Sequence, residues 1–123
     1  MLNNRQKLGE KGEEIAADAL KKRGYRILEK NYRTPMGEID IIAMDKGAIV
    51  FVEVKTRRSG HYGDPKCAVD RRKQAKISMS ALKYLKDMKK MGVSARFDVV
   101  AIQSQDGANR IEIIKNAFEL AYG

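Results

Sequence analysis

The run IVFVEVKTRR, residues 49–58, places an acid and a base in an otherwise apolar stretch. Because side chains alternate along a β-strand, Glu53 and Lys55 should share one face with Ile49 and Phe51. The opposite face would then be formed by Val50, Val52 and Val54. A carboxylate with an ammonium group beside it can help to hold a divalent cation and to orient a water molecule, which is the chemistry of hydrolysis.

A second acid comes from the preceding segment GEIDIIAM, which is separated from AIVFVEVK by a hairpin signal, DKG. A two-residue turn at 46–47 predicts that Asp40 faces Glu53 and that Glu38 faces Lys55. Opposed side chains lie about 4.5–5.5 Å apart at Cβ, so two carboxylates there favour a cation with hard oxygen ligands between them. A three-residue turn with a bulge would shift the pairing by one residue, so the register stays open.

Strand alternation also predicts the faces of the earlier segment. Glu38, Asp40 and Ile42 should share a face opposite Ile39, Ile41 and Ala43. A simpler interpretation remains for the charged strand end, because edge strands often carry charges that prevent association. An exposed Glu-x-Lys pair of that kind contributes less than about 1 kcal/mol.

The elements that would position this hairpin follow the order α-β-β-β-α-β-β. Apolar residues at helical spacing predict helices over 8–23 and 69–90, which end near Gly24 and Gly92. Strands are predicted at YRILEKNYR, the two hairpin segments, RFDVVAIQ and RIEIIKN, and a short helical tail at AFELAYG. The pattern indicates one α/β domain over residues 1–123, with a mixed β-sheet flanked by helices.

The charge of the chain is concentrated in one segment. The net charge is +9, and residues 56–90 contain eleven Lys or Arg against three Asp. A basic stripe of this kind is typical of a protein that binds a phosphate backbone, although a solvated helix face would have the same composition.

Several classes of protein are disfavoured by composition. Cys67 is the single cysteine and His61 the single histidine, which excludes an internal disulfide and a zinc site of Cys/His type. The N-terminus lacks the apolar stretch of a signal peptide, and no apolar run approaches the roughly 20 residues of a membrane span. A cytoplasmic protein is therefore expected.

The motifs resemble those of a known family. Asp40, twelve intervening residues and then Glu53-Val54-Lys55 resemble the PD-(D/E)xK nuclease signature, with Ile39 in place of its proline. The wider set GEKGEEIAADAL, GYRILEKNYR, GEIDIIAMD, VFVEVKTR and RFDVVAI…NAF resembles the YraN family of uncharacterised bacterial proteins, described as candidate endonucleases. The chain is also similar to archaeal Holliday-junction resolvases, which implies a restriction-endonuclease-like fold.

This resemblance implies roles for the hairpin residues. Asp40 and Glu53 would bind Mg²⁺ or Mn²⁺ with the backbone carbonyl of Val54 as a third ligand. Lys55 would orient or deprotonate the attacking water and stabilise charge at phosphorus.

Two further acids receive roles from the same comparison. Glu13 matches an acid that such resolvases place near the metal, and its alternative role is to compensate the helix dipole. Glu38 would support Asp40 from beside the metal, or would be an ordinary surface acid.

The residues expected to contact nucleic acid lie after the hairpin. Lys73 and Gln74 begin the second long helix, and the Gln74 amide should point toward the sheet, either at the site or as a buried edge. The candidates for phosphate contacts are Arg57, Arg58, Arg71, Arg72 and Lys76. Tyr62 could stack on a base, or could simply pack within its loop.

The expected function is a metal-dependent endonuclease acting on DNA, with branched or junction DNA as a candidate substrate. The alternatives are a non-catalytic nucleic-acid-binding module of the same fold and a protein-interaction domain with a basic face. A homodimer is expected only by analogy with junction resolvases, which must cut two strands.

Overall fold

The computed structural model describes residues 4–58, 69–105 and 107–118. The described elements are α1 (Asn4–Lys22), β1 (Arg26–Thr34), β2 (Gly37–Asp45), β3 (Ala48–Arg58), α2 (Arg71–Asp87), β4 (Ala95–Gln105) and β5 (Ala108–Phe118). This order confirms the predicted α-β-β-β-α-β-β arrangement. Phe118 ends a strand, so the predicted helical tail does not begin at Ala117, and its last five residues lie outside the described ranges. Within these ranges, no helix is long and apolar enough to cross a membrane.

The five strands form one mixed sheet in sequence order, β1-β2-β3-β4-β5. The β3–β4 pair is parallel and the other three pairs are antiparallel. A parallel pair needs a crossover connection, and α2 lies within that connection. The strand that carries Glu53 is therefore the central strand, with a neighbour on each side.

Helix α1 covers one face of the sheet. Its small residues Ala16 and Ala17 and the larger Leu20 pack with Val50 and Val52 of β3 in one buried cluster. Small side chains permit a close approach of helix and strand, so α1 runs directly over the valine face of β3.

Helix α2 covers the other face. Ile77, Ala81 and Leu85 pack against Phe51 and Phe97 in a second buried cluster. The helix begins at an N-cap residue, Asp70, whose carboxylate accepts a hydrogen bond of 2.8 Å from the Lys73 amide. This cap fixes the first turn of α2 over the face of β3 that carries Glu53 and Lys55.

A buried polar network joins the sheet to Tyr25, which lies between α1 and β1. Asp98 is fully buried, and its carboxylate accepts hydrogen bonds from the Tyr25 hydroxyl at 2.8 Å, from Arg96 Nε at 3.0 Å and from the Asn116 amide at 2.9 Å. Burial and the bond to Asp98 raise the pKa of Tyr25 to about 12. Arg96 also donates to Asp45 at 2.6 Å. Because each partner is satisfied, we interpret the network as structural.

Candidate functional site

The turn that joins β2 to β3 has the two residues that the sequence predicted. Lys46 and Gly47 both have positive φ, 51° and 86°, and Asp45 pairs with Ala48. This geometry is typical of a tight hairpin, and it confirms the predicted register as far as the pair Ile41–Val52.

Beyond that pair, Asp40 contacts β3 in a different way. Its Oδ2 accepts a hydrogen bond of 2.8 Å from the backbone amide of Val54. The described ladder therefore does not extend to the direct pairs predicted for Asp40 with Glu53 and for Glu38 with Lys55. Where the backbone ladder stops, the Asp40 side chain makes the contact between the two strands. Its partner, Val54, is the residue that follows Glu53.

The predicted alternation of β2 is wrong at the same position. Ile39 and Ile42 both pack in the cluster under α2, whereas Ile41 packs in the cluster under α1. The residue of β1 opposite Asp40 is Asn31, which has a φ of 54°, a left-handed conformation that asparagine tolerates. We interpret this irregularity as the local cause of the changed alternation, and it occurs where Asp40 turns to β3.

The predicted alternation of β3 is confirmed, and it places Glu53 in an apolar surrounding. Glu53 is only 5% exposed and follows the buried Phe51 on the α2 face. Its Oε1 lies 2.5 Å from Lys73 Nζ and 3.7 Å from Lys55 Nζ. A buried carboxylate is costly unless it is paired, and these two lysines supply the pairing.

The contact from Lys73 was not predicted, because the sequence assigned this residue to nucleic-acid binding. Helical spacing contains the signal: Lys73 stands four residues before Ile77 and eight before Ala81, both of which are buried. Lys73 therefore lies on the inward stripe of α2, together with Gln74, to which that orientation had been assigned.

Burial and neighbouring acids raise the pKa of Asp40. Burial raises the pKa of Asp40 to about 7, and the negative charges of Glu53 and Glu13 act in the same direction. The hydrogen bond from Val54 opposes this effect. The influence of Glu13 on Asp40 indicates that α1 brings this residue near the hairpin end.

The pKa values of Lys55 and Lys73 are shifted in opposite directions. Burial and then the neighbouring ammonium of Lys73 lower the pKa of Lys55. For Lys73 burial also favours the neutral form, but the hydrogen bond and charge of Glu53 outweigh it, so the pKa is raised. The site thus contains one lysine that is tightly paired and one that loses its proton more easily than usual.

The donor set fits a magnesium-like cation. Within residues 4–58, 69–105 and 107–118 no three His, Cys, Asp or Glu side chains are arranged to hold a metal ion. Magnesium, however, is commonly held by one or two carboxylates together with water and substrate phosphate. Asp40, Glu53 and the carbonyl of Val54 would suffice for such a site, with Lys55 beside it.

Two predicted site residues make other contacts. Glu38 forms an exposed ion pair with Arg33, with 3.7 Å between the carboxylate and Nε. This contact does not support its predicted role beside Asp40. The Gln74 amide donates a hydrogen bond of 2.8 Å to the carbonyl of Val69, and it therefore stabilises the start of α2 as a partly buried residue.

The residues predicted to contact phosphate lie at the start of α2 and at the end of β3. Arg71, Arg72 and Lys76 are exposed on the first turns of α2, and Arg57 is half-buried on β3. Lys73 of the same first turn contacts Glu53, so this end of α2 lies beside that carboxylate. Arg58 ends β3, and Tyr62 falls in the segment 59–68, outside the described residues.

Comparison with known proteins gives matches over nearly the whole chain. The model of a family described as "Uncharacterised protein family UPF0102" matches residues 12–102. The UPF0102 protein of Desulfosudis oleivorans is 54% identical over 119 residues, which cover 97% of this chain and 95% of that protein. The UPF0102 protein of Syntrophus aciditrophicus is 56% identical over 115 residues, 94% of this chain and 91% of that protein. The UPF0102 protein of Geobacter metallireducens is 52% identical over 115 residues, covering 94% of each. None of these names states an activity.

Proposed function

The chain belongs to the uncharacterised protein family UPF0102, and we propose that it is a metal-dependent endonuclease that hydrolyses phosphodiester bonds in DNA. The observation that carries this proposal is the convergence of Asp40, Glu53 and Lys55 at one end of β3. Asp40 is bound to the amide of Val54, and the buried Glu53 lies within 3.7 Å of the Lys55 ammonium.

Asp40 and Glu53, with the carbonyl of Val54, would hold Mg²⁺ or Mn²⁺. When bound, such a cation supplies positive charge at a non-bridging phosphate oxygen and lowers the pKa of a coordinated water. The protein groups then have to orient that water and the phosphate, and positioning of this kind accounts for much of the rate.

Lys55 is the candidate for this orienting role. Its side chain is 28% exposed, and its ammonium lies 3.7 Å from the buried Glu53 carboxylate. The lowered pKa brings Lys55 closer to the range in which a lysine exchanges protons during a reaction. We propose that it hydrogen-bonds the attacking water and stabilises charge at phosphorus.

The basic residues around this site support DNA as the substrate. Exposed arginines of α2 and the arginines at the end of β3 would contact phosphates on either side of the scissile bond. Branched or junction DNA is the proposed substrate, and a homodimer would let two sites cut two strands.

One observation favours a second candidate, a nucleic-acid-binding module without catalysis. Lys73 already neutralises Glu53 through an ion pair of 2.5 Å, and a permanent pair of this kind would leave no place for a cation. Such a module would bind DNA through the same basic residues.

A substrate panel separates the two candidates. The protein would be incubated with linear, flapped and four-way DNA and with RNA, each with Mn²⁺, beside an Asp40→Asn variant. The introduced amide keeps an oxygen for the Val54 N–H but loses the charge, so the fold should persist while cleavage is lost. Cleavage of DNA by the wild type alone supports the endonuclease. DNA binding by both proteins without cleavage by either supports the binding module.

A further inference from the structure

We propose that Lys73 is a displaceable counter-ion of Glu53: it competes with a divalent cation for this carboxylate and, once displaced, contacts a substrate phosphate. This inference rests on the proposed function. It assigns to α2 a second lysine of the site, in addition to Lys55.

The geometry places Lys73 where a cation would bind. Its Nζ lies 2.5 Å from Glu53 Oε1, closer than the 3.7 Å of Lys55 Nζ. Because Glu53 is 5% exposed, water cannot substitute freely for this partner. A divalent ion bound to Glu53 would meet the ammonium of Lys73 at short range, and two positive charges cannot both occupy that position favourably.

The charges of the site are consistent with competition between Lys73 and a divalent cation for Glu53. The carboxylates of Glu13, Asp40 and Glu53 are close enough to interact electrostatically. Lys55 and Lys73 offset two of these charges. A divalent cation can replace the charge of Lys73 at Glu53, so the carboxylate does not lose neutralisation when the lysine leaves.

The first turn of α2 lets the side chain move while the backbone stays fixed. The Lys73 amide donates to the Asp70 carboxylate at 2.8 Å, and the neighbouring Gln74 holds the carbonyl of Val69. The Lys73 side chain is 42% exposed, and Arg72 and Lys76 on the same first turns of α2 are exposed as well. A released ammonium would therefore stay among the residues proposed to contact phosphate.

Linkage gives the sign of the effect. If pairing with Lys73 opposes cation binding, cation binding must oppose the pairing by the same factor. Removal of the ammonium should then tighten cation binding, whereas a residue that merely orients Glu53 would weaken it when removed.

The test is Mn²⁺ titration calorimetry on wild type, Lys73→Met, Lys73→Arg and, as a matched control, Lys86→Met in the exposed last turn of the same helix. We expect Lys73→Met to bind Mn²⁺ at least about fivefold more tightly, the lower end of ordinary coupling between two sites. Lys73→Arg and Lys86→Met should stay near wild type, and Lys73→Met should cleave DNA more slowly at saturating Mn²⁺. Unchanged or weaker Mn²⁺ binding by Lys73→Met overturns the inference.

A second measurement does not depend on whether Lys73→Met folds. Crystal structures of the wild type without and with Mn²⁺ should show the Lys73 Nζ to Glu53 distance increase beyond hydrogen-bonding range. If Mn²⁺ binds and the pair stays intact, the inference fails and the proposed function survives. If the wild type binds no Mn²⁺, the proposed function and the inference fail together.

Discussion

The Asp40 carboxylate lies between a backbone amide and two other acids, and these neighbours have opposite effects on its pKa. Burial and the charge of Glu53 favour the protonated form, while the bond from Val54 favours the charged form. The result, a pKa of about 7, means that the site resists having all its acids charged. A bound cation would relieve that resistance, so its binding should release protons at neutral pH.

The first prediction concerns stability without metal. The folded pKa of Asp40 lies above its ordinary value of 3.8, so the folded state holds a proton that the unfolded state has lost. The stability that this proton contributes is present below the ordinary value and is lost as the pH rises through about 7. We expect the free energy of unfolding, measured by urea denaturation in EDTA, to fall by up to about 1.4 kcal/mol per pH unit across this window.

The Asp40→Asn variant isolates this contribution. Its stability should vary less with pH than that of the wild type, because the titrating group is absent while the oxygen for Val54 remains. Equal pH dependence of the two proteins would contradict the assignment to Asp40. Saturating Mn²⁺ should remove the loss in the wild type only, because the cation stabilises the charged form.

The second prediction concerns Lys55. Replacement by alanine removes the group proposed to orient water and to stabilise charge at phosphorus. We expect Lys55→Ala to cleave DNA about 10²- to 10³-fold more slowly, the usual effect of losing one such donor. Binding to DNA, measured by fluorescence anisotropy in Ca²⁺, should change less than about threefold. Parallel loss of binding and thermal stability would instead indicate a folding role.

The sequence predicted Glu53 and Lys55 as residues of the site, but not the lysine that forms the close ion pair with Glu53. A strand of alternating apolar residues that acquires Glu53 and Lys55 is visible by spacing alone. The approach of Lys73 depends on how the first turn of α2 packs over β3, which spacing limits to a face of the helix without giving the strand residue beneath it. Sequence reasoning therefore brought Asp40 and Glu53 to the same end of the hairpin, but it predicted a direct pair that the ladder does not form and missed which base neutralises Glu53.

At the scale of elements, the approach of α1 to β3 controls where Glu13 lies. A Cβ placed on Gly12 would lie 2.5 Å from Thr56 Cγ2, which is closer than real Cβ atoms come to a non-bonded atom. Glycine at this position lets α1 approach the strand directly next to Lys55. The helix thereby brings Glu13, the next residue, toward Asp40.

The third prediction follows from that contact. Gly12→Ala should gain about 1 kcal/mol of helix propensity and lose a comparable or larger amount through the clash. Displacement of α1 would also move Glu13. The loss in cleavage rate, expressed as a free energy of activation, should therefore exceed the loss in the free energy of unfolding. Thermal unfolding and cleavage rates measure the two effects.

A double-mutant cycle separates the clash from propensity. Thr56→Ser removes Cγ2, so Gly12→Ala combined with Thr56→Ser should recover both cleavage and stability. We expect a coupling free energy of about 1–2 kcal/mol between the two positions. Additive effects would show that the close approach does not limit the helix.

The two hairpin strands differ in how far sequence predicts them. In β3 the alternation is regular because both faces are covered by helices, so the face of each residue follows from its position. In β2 the alternation changes at Asp40, opposite the left-handed Asn31 of β1. Asparagine adopts extended as well as left-handed conformations, so the presence of Asn31 within β1 did not by itself predict the irregularity. This irregularity lies where Asp40 turns to Val54.

At the scale of the whole molecule, the uneven charge of the sequence has a place in the fold. The net charge is +9, and the basic segment begins at the end of β3 and continues into α2. Since α2 contacts Glu53 through Lys73, the first turns of this helix bring exposed arginines to the side of the acidic site. Positive charge around a pair of carboxylates would attract a phosphate backbone while the site itself repels it until a cation binds.

The fourth prediction tests this arrangement through salt. Each phosphate contact releases counter-ions, so the logarithm of the DNA binding constant should fall with the logarithm of salt concentration by about 0.9 per contact. Five contacts, from the arginines at the end of β3 and from the exposed cations of α2, would give a slope of about −4.5. The double change Arg71→Ala and Arg72→Ala should reduce that slope by about two contacts. Lys89→Ala with Lys90→Ala removes the same charge just beyond the far end of α2, and should leave the slope near wild type. If both double variants reduce the slope equally, the protein attracts DNA by its net charge alone, and the proposed path beside Glu53 is wrong.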